Sequence, residues 1–297
     1  MTIIIGASLA DTLNGNESND IILGLADDDV LSGGAGSDIL FGHQGNDTLK
    51  GEAGTDCLFG RLGTDFLYGG SDNDFLYGGS GADRLNGDDG NDRADGGSGN
   101  DRIFGGLGND ELDGGDGDDI LNGGGFDDVE FTGDDRIYGG NGNDILIGAF
   151  GNDILNGGNG DDILNGANGN SEFGGKSLGE GEIDILTGGA GADTLILFGT
   201  VDRLGATPSY DLKGEKDYAL ITDFDPSKDT IQLWGTEMDD SSINYSLGAT
   251  GGGLPTGTGI YYELTNSPGT APELVAILQN ITPDSLSLAQ PYFNILM

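Results

Sequence analysis

The chain has 297 residues, of which 60 are glycine, and 52 acidic residues outnumber 11 basic ones to give a formal net charge of -41. Glycine has no side chain to bury and loses the most backbone entropy on folding, so this composition excludes an ordinary globular core. With seven prolines and no glycine at every third position, the chain is not collagen. A polyanion without a basic patch is repelled by nucleic acids and anionic membranes, and it attracts cations instead.

The N-terminal segment, MTIIIGASLADTLNG, has no basic region and only three consecutive isoleucines, which is unlike a secretory signal peptide. No apolar run approaches the roughly 18 residues that a membrane-spanning helix requires. Cys57 is the only cysteine, so no internal disulfide can form, and we interpret it as an inert small side chain. The only histidine, His43, lies in a glycine-rich loop without a second triad candidate, and we expect no enzyme activity.

A nine-residue phrase then recurs along the chain, as in GGAGSDILF at 33–41: a glycine-rich loop, an aspartate, and a short segment centred on Leu or Ile. The register slips after Asp128 and breaks again through 166–182 before it resumes. We interpret the following phased aspartates as metal ligands: Asp20, Asp29, Asp38, Asp47, Asp56, Asp65, Asp74, Asp83, Asp92, Asp101, Asp110, Asp119, Asp128, Asp135, Asp144, Asp153, Asp162, Asp184 and Asp193.

The two halves of the phrase predict its structure. Glycines permit positive φ and close backbone approach, so the first half forms a tight turn whose carbonyls and carboxylate converge. The second half is a short strand whose central side chain faces one way and whose neighbours face the other. Two phrases complete one coil. We therefore predict an all-β fold, with a right-handed parallel β-roll over 1–199 and a small β-rich cap over 200–297.

The acids require a counter-ion. Residues 1–199 carry 39 acids and seven bases, and the predicted columns place carboxylates about 5 Å apart. Carboxylate and carbonyl oxygens, without histidine or thiolate, favour calcium over zinc or copper. Magnesium prefers a rigid octahedron with several waters and suits such turns less well.

The phrase GGxGxDxUx, with U a large apolar residue, resembles the nonapeptide of the RTX (repeats in toxin) or haemolysin-type calcium-binding family. Eight loops match GGxGxD in full, such as GGAGSD at 33–38 and GGSGND at 96–101. The segment DYALITDFDPSKDTIQL is also similar to the one that follows the last repeats in family members. The resemblance implies a parallel β-roll, calcium between loops eighteen residues apart, and type I secretion directed by an uncleaved C-terminal signal.

Pairing aspartates one coil apart predicts up to about 16 calcium ions. The predicted pairs run along one edge from Asp11/Asp29 to Asp135/Asp153 and along the other from Asp20/Asp38 to Asp144/Asp162. Loops without glycine at their fourth position, such as GLADDD and GGSDND, are expected to be poorer sites.

The outward positions of one sheet are apolar in the first coils. Leu23, Phe41, Phe59 and Tyr77 are eighteen residues apart, so they are predicted to form a column. A patch of this kind is large for a soluble monomer. It predicts self-association or a cell-surface partner; the alternative is that the C-terminal region folds over it.

We therefore expect a secreted calcium-binding repeat protein with a structural, adhesive or surface-assembly role, which folds when it binds calcium. The alternative is a calcium-dependent accessory module of a secreted enzyme, such as a protease or a polysaccharide epimerase. Met1 is followed at once by a repeat strand, which favours the first interpretation. We expect neither a nucleic-acid partner nor a membrane span.

Overall fold

The structure, a computed structural model, describes residues 1–125, 133–167, 182–197, 218–234, 243–250, 254–264 and 273–296. These residues form 26 strands and one short 3-10 helix, Pro283–Ser285. No helix in this part of the chain is long and apolar enough to cross a membrane. The predicted all-β fold is confirmed.

The strands form two sheets, named sheet A and sheet B. Sheet A contains 14 strands. In spatial order they are β1 (Thr2–Ile5), β3 (Asp20–Ala26), β5 (Ile39–Gln44), β7 (Cys57–Leu62), β9 (Phe75–Ser80), β11 (Arg93–Ser98), β13 (Glu111–Asp116), β15 (Arg136–Asn141), β17 (Ile154–Asn159), β19 (Ile183–Ala190), β21 (Tyr218–Ile221), β25 (Glu273–Gln279), β24 (Gly257–Leu264) and β23 (Ile243–Ala249).

Sheet B contains 12 strands. They are β2 (Thr12–Asn16), β4 (Val30–Ala35), β6 (Thr48–Ala53), β8 (Phe66–Ser71), β10 (Arg84–Asp89), β12 (Arg102–Leu107), β14 (Ile120–Asn122), β16 (Ile145–Ala149), β18 (Ile163–Ala167), β20 (Thr194–Leu197), β22 (Thr230–Trp234) and β26 (Phe293–Leu296).

Odd strands build sheet A and even strands build sheet B as far as β22, so the chain alternates between the sheets at every turn. Pairing among these strands is parallel, and partners stand one coil apart: Leu40 pairs with Ile22 on one side and Leu58 on the other. Each coil therefore advances by one strand spacing, about 4.8 Å. This arrangement confirms the predicted parallel β-roll.

The central residue of each strand points into the space between the sheets. Leu31, Leu40, Leu49 and Leu58 are all 0% exposed, and the stack continues along the roll. Ala94 replaces the large side chain in one coil and is also buried. Because the core is one residue wide, nearly all its area comes from these positions.

Two coils within the repeats are longer than eighteen residues, which corrects the predicted pairing. The backbone N–H of Asp110 donates to Asp135, and that of Asp119 donates to Asp144, across 25 residues in both cases. This coil thus has seven residues more than the regular eighteen. Asp128 lies outside the described residues, and Asp135 takes the place that Asp128 was predicted to hold.

Beyond this point each aspartate pair lies on the edge of the roll opposite to the predicted one. Asp135/Asp153 belongs to the edge that begins at Asp20, and Asp144/Asp162 belongs to the edge that begins at Asp11, opposite to the prediction. A later coil is longer again, so that Asp153 pairs with Asp184 across 31 residues.

The parallel stacking continues past residue 200. Ile221 of β21 pairs with Leu186, and Ile231 of β22 pairs with Leu195. Three strands at the end of sheet A, β25, β24 and β23, then pair antiparallel to one another. The end of the roll is thus covered by strands that do not follow the nine-residue phrase.

The core stack predicts unequal costs for two leucine substitutions on neighbouring strands. Leu67 is 0% exposed, whereas Leu62 is 53% exposed. In saturating calcium, Leu67→Ala should lower the free energy of unfolding by about 2–5 kcal/mol, and Leu62→Ala by less than about 0.5 kcal/mol. Urea unfolding followed by circular dichroism measures both, and equal losses would contradict a one-residue-wide core.

Candidate metal centre

The aspartates that close the turns form two continuous ladders, one along each edge of the roll. The backbone N–H of Asp38 donates to Oδ1 of Asp56 at 2.7 Å, and Asp56 repeats the bond to Asp74 at 2.8 Å. One ladder comprises Asp20, Asp38, Asp56, Asp74, Asp92, Asp110, Asp135, Asp153 and Asp184. The other comprises Asp11, Asp29, Asp47, Asp65, Asp83, Asp101, Asp119, Asp144, Asp162, Asp193 and Asp229.

These carboxylates lie inside the turns. Asp47, Asp56 and Asp65 are 0% exposed, and the other interior members are nearly so. In fourteen of the ladder aspartates, from Asp29 to Asp162, the second oxygen, Oδ2, is buried without a hydrogen-bond partner in the described part of the chain. A buried carboxylate oxygen without a donor is costly unless a cation or a proton accompanies it.

Glycine makes room beside each of these oxygens. An added Cβ at Gly69 would lie 2.5 Å from Oδ2 of Asp74 and 2.7 Å from the carbonyl oxygen of Gly87, in the next coil. At Gly78 the same distances, to Asp83 and Gly96, are 2.6 and 2.7 Å. The first glycine of GGxGxD therefore leaves open the space in which a carboxylate and a carbonyl of successive coils converge. Such hard oxygen donors fit calcium.

Burial dominates the electrostatics of the ladders. It raises the pKa of Asp74 to about 8, and repulsion from Asp92 and Asp56 adds to the effect, against a backbone hydrogen bond that lowers it. For Asp153 burial and the neighbouring Asp184 raise the pKa to about 9. Near neutral pH each of these carboxyl groups must therefore either keep its proton or carry a buried charge without a counter-ion. A bound divalent cation stabilises the charged state.

Two loops without the fourth-position glycine, GLADDD and GGSDND, keep the same turn. Asp27 and Asp72 stand at that position with φ of 73° and 77°, left-handed values that aspartate tolerates better than most residues. The ladder aspartates that follow them, Asp29 and Asp74, are both 1% exposed and bonded like the rest. The turn geometry thus survives the substitutions that predicted poorer sites.

A further set of hydrogen bonds between coils, made by the residues that precede the ladder aspartates, was not predicted. The residue before each ladder aspartate is often Asn or Asp, and its side chain accepts the backbone N–H of its counterpart one coil later. Asn91 accepts from Asn109 at 2.8 Å, and Asn109 accepts from Asp134 at 2.9 Å. The recurring pairs ND and DD in the sequence carried this signal.

The ladder also extends beyond the repeats. Asp229 is 6% exposed, and its Oδ1 accepts the backbone N–H of Asp193 at 3.2 Å. Asp223 accepts the N–H groups of Gly188 and Gly189. The sequence carries a signal for this extension, because DTIQL at 229–233 repeats the spacing of DTLIL at 193–197.

No position within the described ranges gathers three or more His, Cys, Asp or Glu side chains that could hold one ion. Any centre in these turns therefore combines carboxylates of successive coils with backbone carbonyl oxygens. Calcium accepts such mixed oxygen sets of six to eight ligands.

Fold and site together define a parallel β-solenoid with cation-binding turns. The model of the RTX calcium-binding nonapeptide repeat matches residues 5–40, 32–67, 59–94, 95–130, 132–155, 138–172 and 178–204. These matches cover well over half of the chain, which belongs to the RTX calcium-binding nonapeptide repeat family and is a calcium-binding repeat protein. A search of curated proteins found no match.

The raised pKa values predict a pH dependence in the absence of calcium. Folding raises the pKa of Asp56 and Asp101 to about 7, above the ordinary 3.8, so the folded chain binds more protons than the unfolded one. The stability contributed by these groups is fully present below pH 3.8 and is lost as pH rises through about 7. Circular dichroism in chelator should show β structure declining between these limits; a pH-independent spectrum would contradict it.

Ladder position predicts unequal losses of calcium affinity. Asp101 lies in the middle with a buried Oδ2, whereas the Oδ2 of Asp11, at the end, already accepts the N–H of Ala7. In chelator near pH 7.5 the chain should be largely unfolded, and calcium near 0.1–1 mM, roughly the range of extracellular modules, should restore β structure. Asp101→Asn should raise the calcium midpoint several-fold and Asp11→Asn should barely change it. Equal shifts in these titrations would be contrary evidence.

Proposed function

We propose that this calcium-binding repeat protein is exported and works outside the cell as a structural or adhesive element. The proposal is supported by the family, whose repeats are typical of secreted proteins, and by an apolar face on an otherwise acidic roll. Type I export and up to about 16 bound calcium ions belong to the same proposal.

Calcium would couple folding to export. A column of desolvated carboxylates destabilises the roll when calcium is scarce, and the core contributes only one large side chain per strand. The chain would remain extended in a low-calcium compartment and fold where calcium reaches the millimolar range. Ladder side chains would hold the ions, while the glycine turns supply carbonyl oxygens and exclude bulk water.

The apolar face comprises Leu23, Phe41, Phe59 and Tyr77 on sheet A. The rings of Phe41 and Phe59 stack with centroids 4.8 Å apart, and those of Phe59 and Tyr77 with centroids 4.9 Å apart. All four side chains are half-buried. Because the rings face one another, they stabilise successive coils and present their edges outward.

Two basic residues border this face. The ring of His43 lies 5.7 Å from that of Phe41, and the guanidinium of Arg61 lies 5.1 Å from the Phe41 centroid. Both have positive φ, 80° and 84°, in the place of the second glycine of the turn. Burial and the charge of Arg61 lower the pKa of His43, so Arg61 supplies the positive charge here. Apolar ring edges beside an arginine and a histidine form a contact surface unlike the acidic remainder of the roll.

The described C-terminal strands do not cover the apolar face. In sheet A, five strands separate β9, which carries Tyr77, from β21. At about 4.8 Å per strand this is a separation of nearly 30 Å. The face therefore remains available to another molecule within the part of the chain that the structure describes, and we propose it as the adhesive surface.

Retention on cells of the producing organism tests the proposal. Phe41→Thr/Phe59→Thr removes the central rings, and Phe66→Thr/Tyr68→Thr removes two half-buried rings from sheet B of the same coils. In calcium, the labelled wild-type chain and the sheet B variant should remain on washed cells, while the sheet A variant should lose most of its binding. Chelator should release all three. Equal retention of both folded variants, or retention in chelator, would contradict an adhesive role for this face.

A further inference from the structure

The outer surface of sheet B carries a groove that belongs to neither the aspartate ladders nor the apolar face. It crosses β6, β8 and β10 and encloses about 440 Å³, which lies within the range of small-molecule sites, roughly 300–1,000 Å³. The register places Lys50 beside Tyr68, and it places Glu52 and Asp88 on either side of Gly70. We name it the sheet B groove, and it is lined by Thr48, Lys50, Glu52, Tyr68, Gly70 and Asp88.

Two acids form walls of the groove. One column of sheet B runs through Gly34, Glu52, Gly70, Asp88 and Gly106, so glycine alternates with an acid. Glu52 and Asp88 have φ of 77° and 70°, a left-handed conformation that glycine adopts without strain. Because Gly70 has no side chain, the space between the two acids stays open over two strand spacings, about 10 Å. The turn accounts for the glycines of this column but not for the two acids.

Neutral groups hold the two carboxylates in place. Glu52 accepts a hydrogen bond from Oγ of Ser32, and Asp88 accepts one from Nδ2 of Asn86. Neither acid forms an ion pair with another described residue. An ionised carboxylate has about four acceptor sites. Each of these acids therefore keeps acceptor capacity for a ligand that donates hydrogen bonds.

Lys50 and Tyr68 add a donor and an aromatic ring. Lys50 is exposed and Tyr68 is half-buried. In the part of the chain that the structure describes, the Lys50 ammonium makes no ion pair and the Tyr68 hydroxyl has no hydrogen-bond partner. The groove thus combines an ammonium donor, two carboxylate acceptors, a hydroxyl that can donate and accept, and a ring surface.

This combination discriminates between classes of ligand. An anion would meet two carboxylates on a chain of net charge -41, and a cation would meet the Lys50 ammonium. An apolar ligand would desolvate these charges without pairing them. The hydroxyls of a neutral saccharide accept from an ammonium and donate to carboxylates, and the C–H face of a sugar ring packs on an aromatic side chain. A disaccharide also matches the groove's width of about 10 Å.

We propose that the sheet B groove binds a neutral saccharide, with a sugar ring packed on Tyr68 and hydroxyls bonded to Lys50, Glu52 and Asp88. The groove is shallow and hydrated, so one disaccharide binds with a Kd of about 1 mM. Such a complex dissociates on the order of milliseconds. It therefore does not retain the chain on washed cells, and the site is independent of the adhesive role proposed for the apolar face.

Saturation-transfer NMR of the full chain in saturating calcium tests the site with four neutral probes: maltose, cellobiose, lactose and mannobiose, each at about 10 mM. Wild type should transfer saturation to the ring protons of at least one. Tyr68→Ala should raise the Kd about tenfold or more. Tyr138→Ala, which removes a half-buried tyrosine at the same position of the phrase in sheet A, should bind as wild type does. Phe41→Thr/Phe59→Thr should also bind like wild type.

A second pair of variants separates binding from folding. Glu52→Gly/Asp88→Gly restores glycine at two positions of positive φ, so the calcium-loaded fold should persist by circular dichroism while saccharide binding is lost. Asp27→Gly/Asp72→Gly makes the same change of charge at two other positions of positive φ, outside the lining of the groove, and should leave binding unchanged.

Several outcomes would overturn the proposal. They are no transfer to any of the four disaccharides, equal transfer from wild type and Tyr68→Ala, and unchanged binding by a folded Glu52→Gly/Asp88→Gly variant. Glucuronate and glycylglycine serve as anionic and zwitterionic probes. Stronger transfer to either of them than to the neutral disaccharides would assign the groove to a charged ligand instead.

Discussion

The hydrogen bond from one ladder aspartate to the carboxylate of the next coil determines most of this structure. It joins coils at the edges, where the strands end, and it holds each carboxylate inside a turn away from water. The same bond uses only Oδ1 and leaves Oδ2 facing the space beside a glycine. Every coil therefore combines a regular structural contact with a charge that needs an external cation. Folding and calcium binding are consequently linked at the level of single residues.

Much of the fold was predictable because one short period specifies both halves of a coil. The spacing of Asp38 and Leu40 identified the turn, the strand and the inward side chain, and all three were confirmed. The edge exchange after Asp119 was not predictable, because a break in the period does not show whether residues are added to a strand or to a turn. The pairings of Asp110 with Asp135 and of Asp119 with Asp144 show that both ladders continue across the added residues.

Departures from the motif were harder to evaluate from residue types alone. The loss of glycine at Asp72 suggested a poorer calcium site, and the backbone adopts the same left-handed conformation with aspartate there. Asp229 was missed because the loop before it has proline and lysine in place of glycine, while its buried carboxylate completes a ladder. Local sequence describes the turn that is preferred, and stacking against the previous coil decides which turn forms.

The long intervals between some ladder partners have a consequence for how the roll can change. Coils of 25 and 31 residues between ladder partners leave the ladders and the core stack uninterrupted, because position along the axis is set by pairing with the previous coil. The number of residues between ladder partners can therefore vary while the strand spacing stays constant. New segments can be inserted between strands, at multiples of that spacing along the roll, without disturbing the neighbouring coils. Diversity then accumulates at the edges while the interior keeps one pattern.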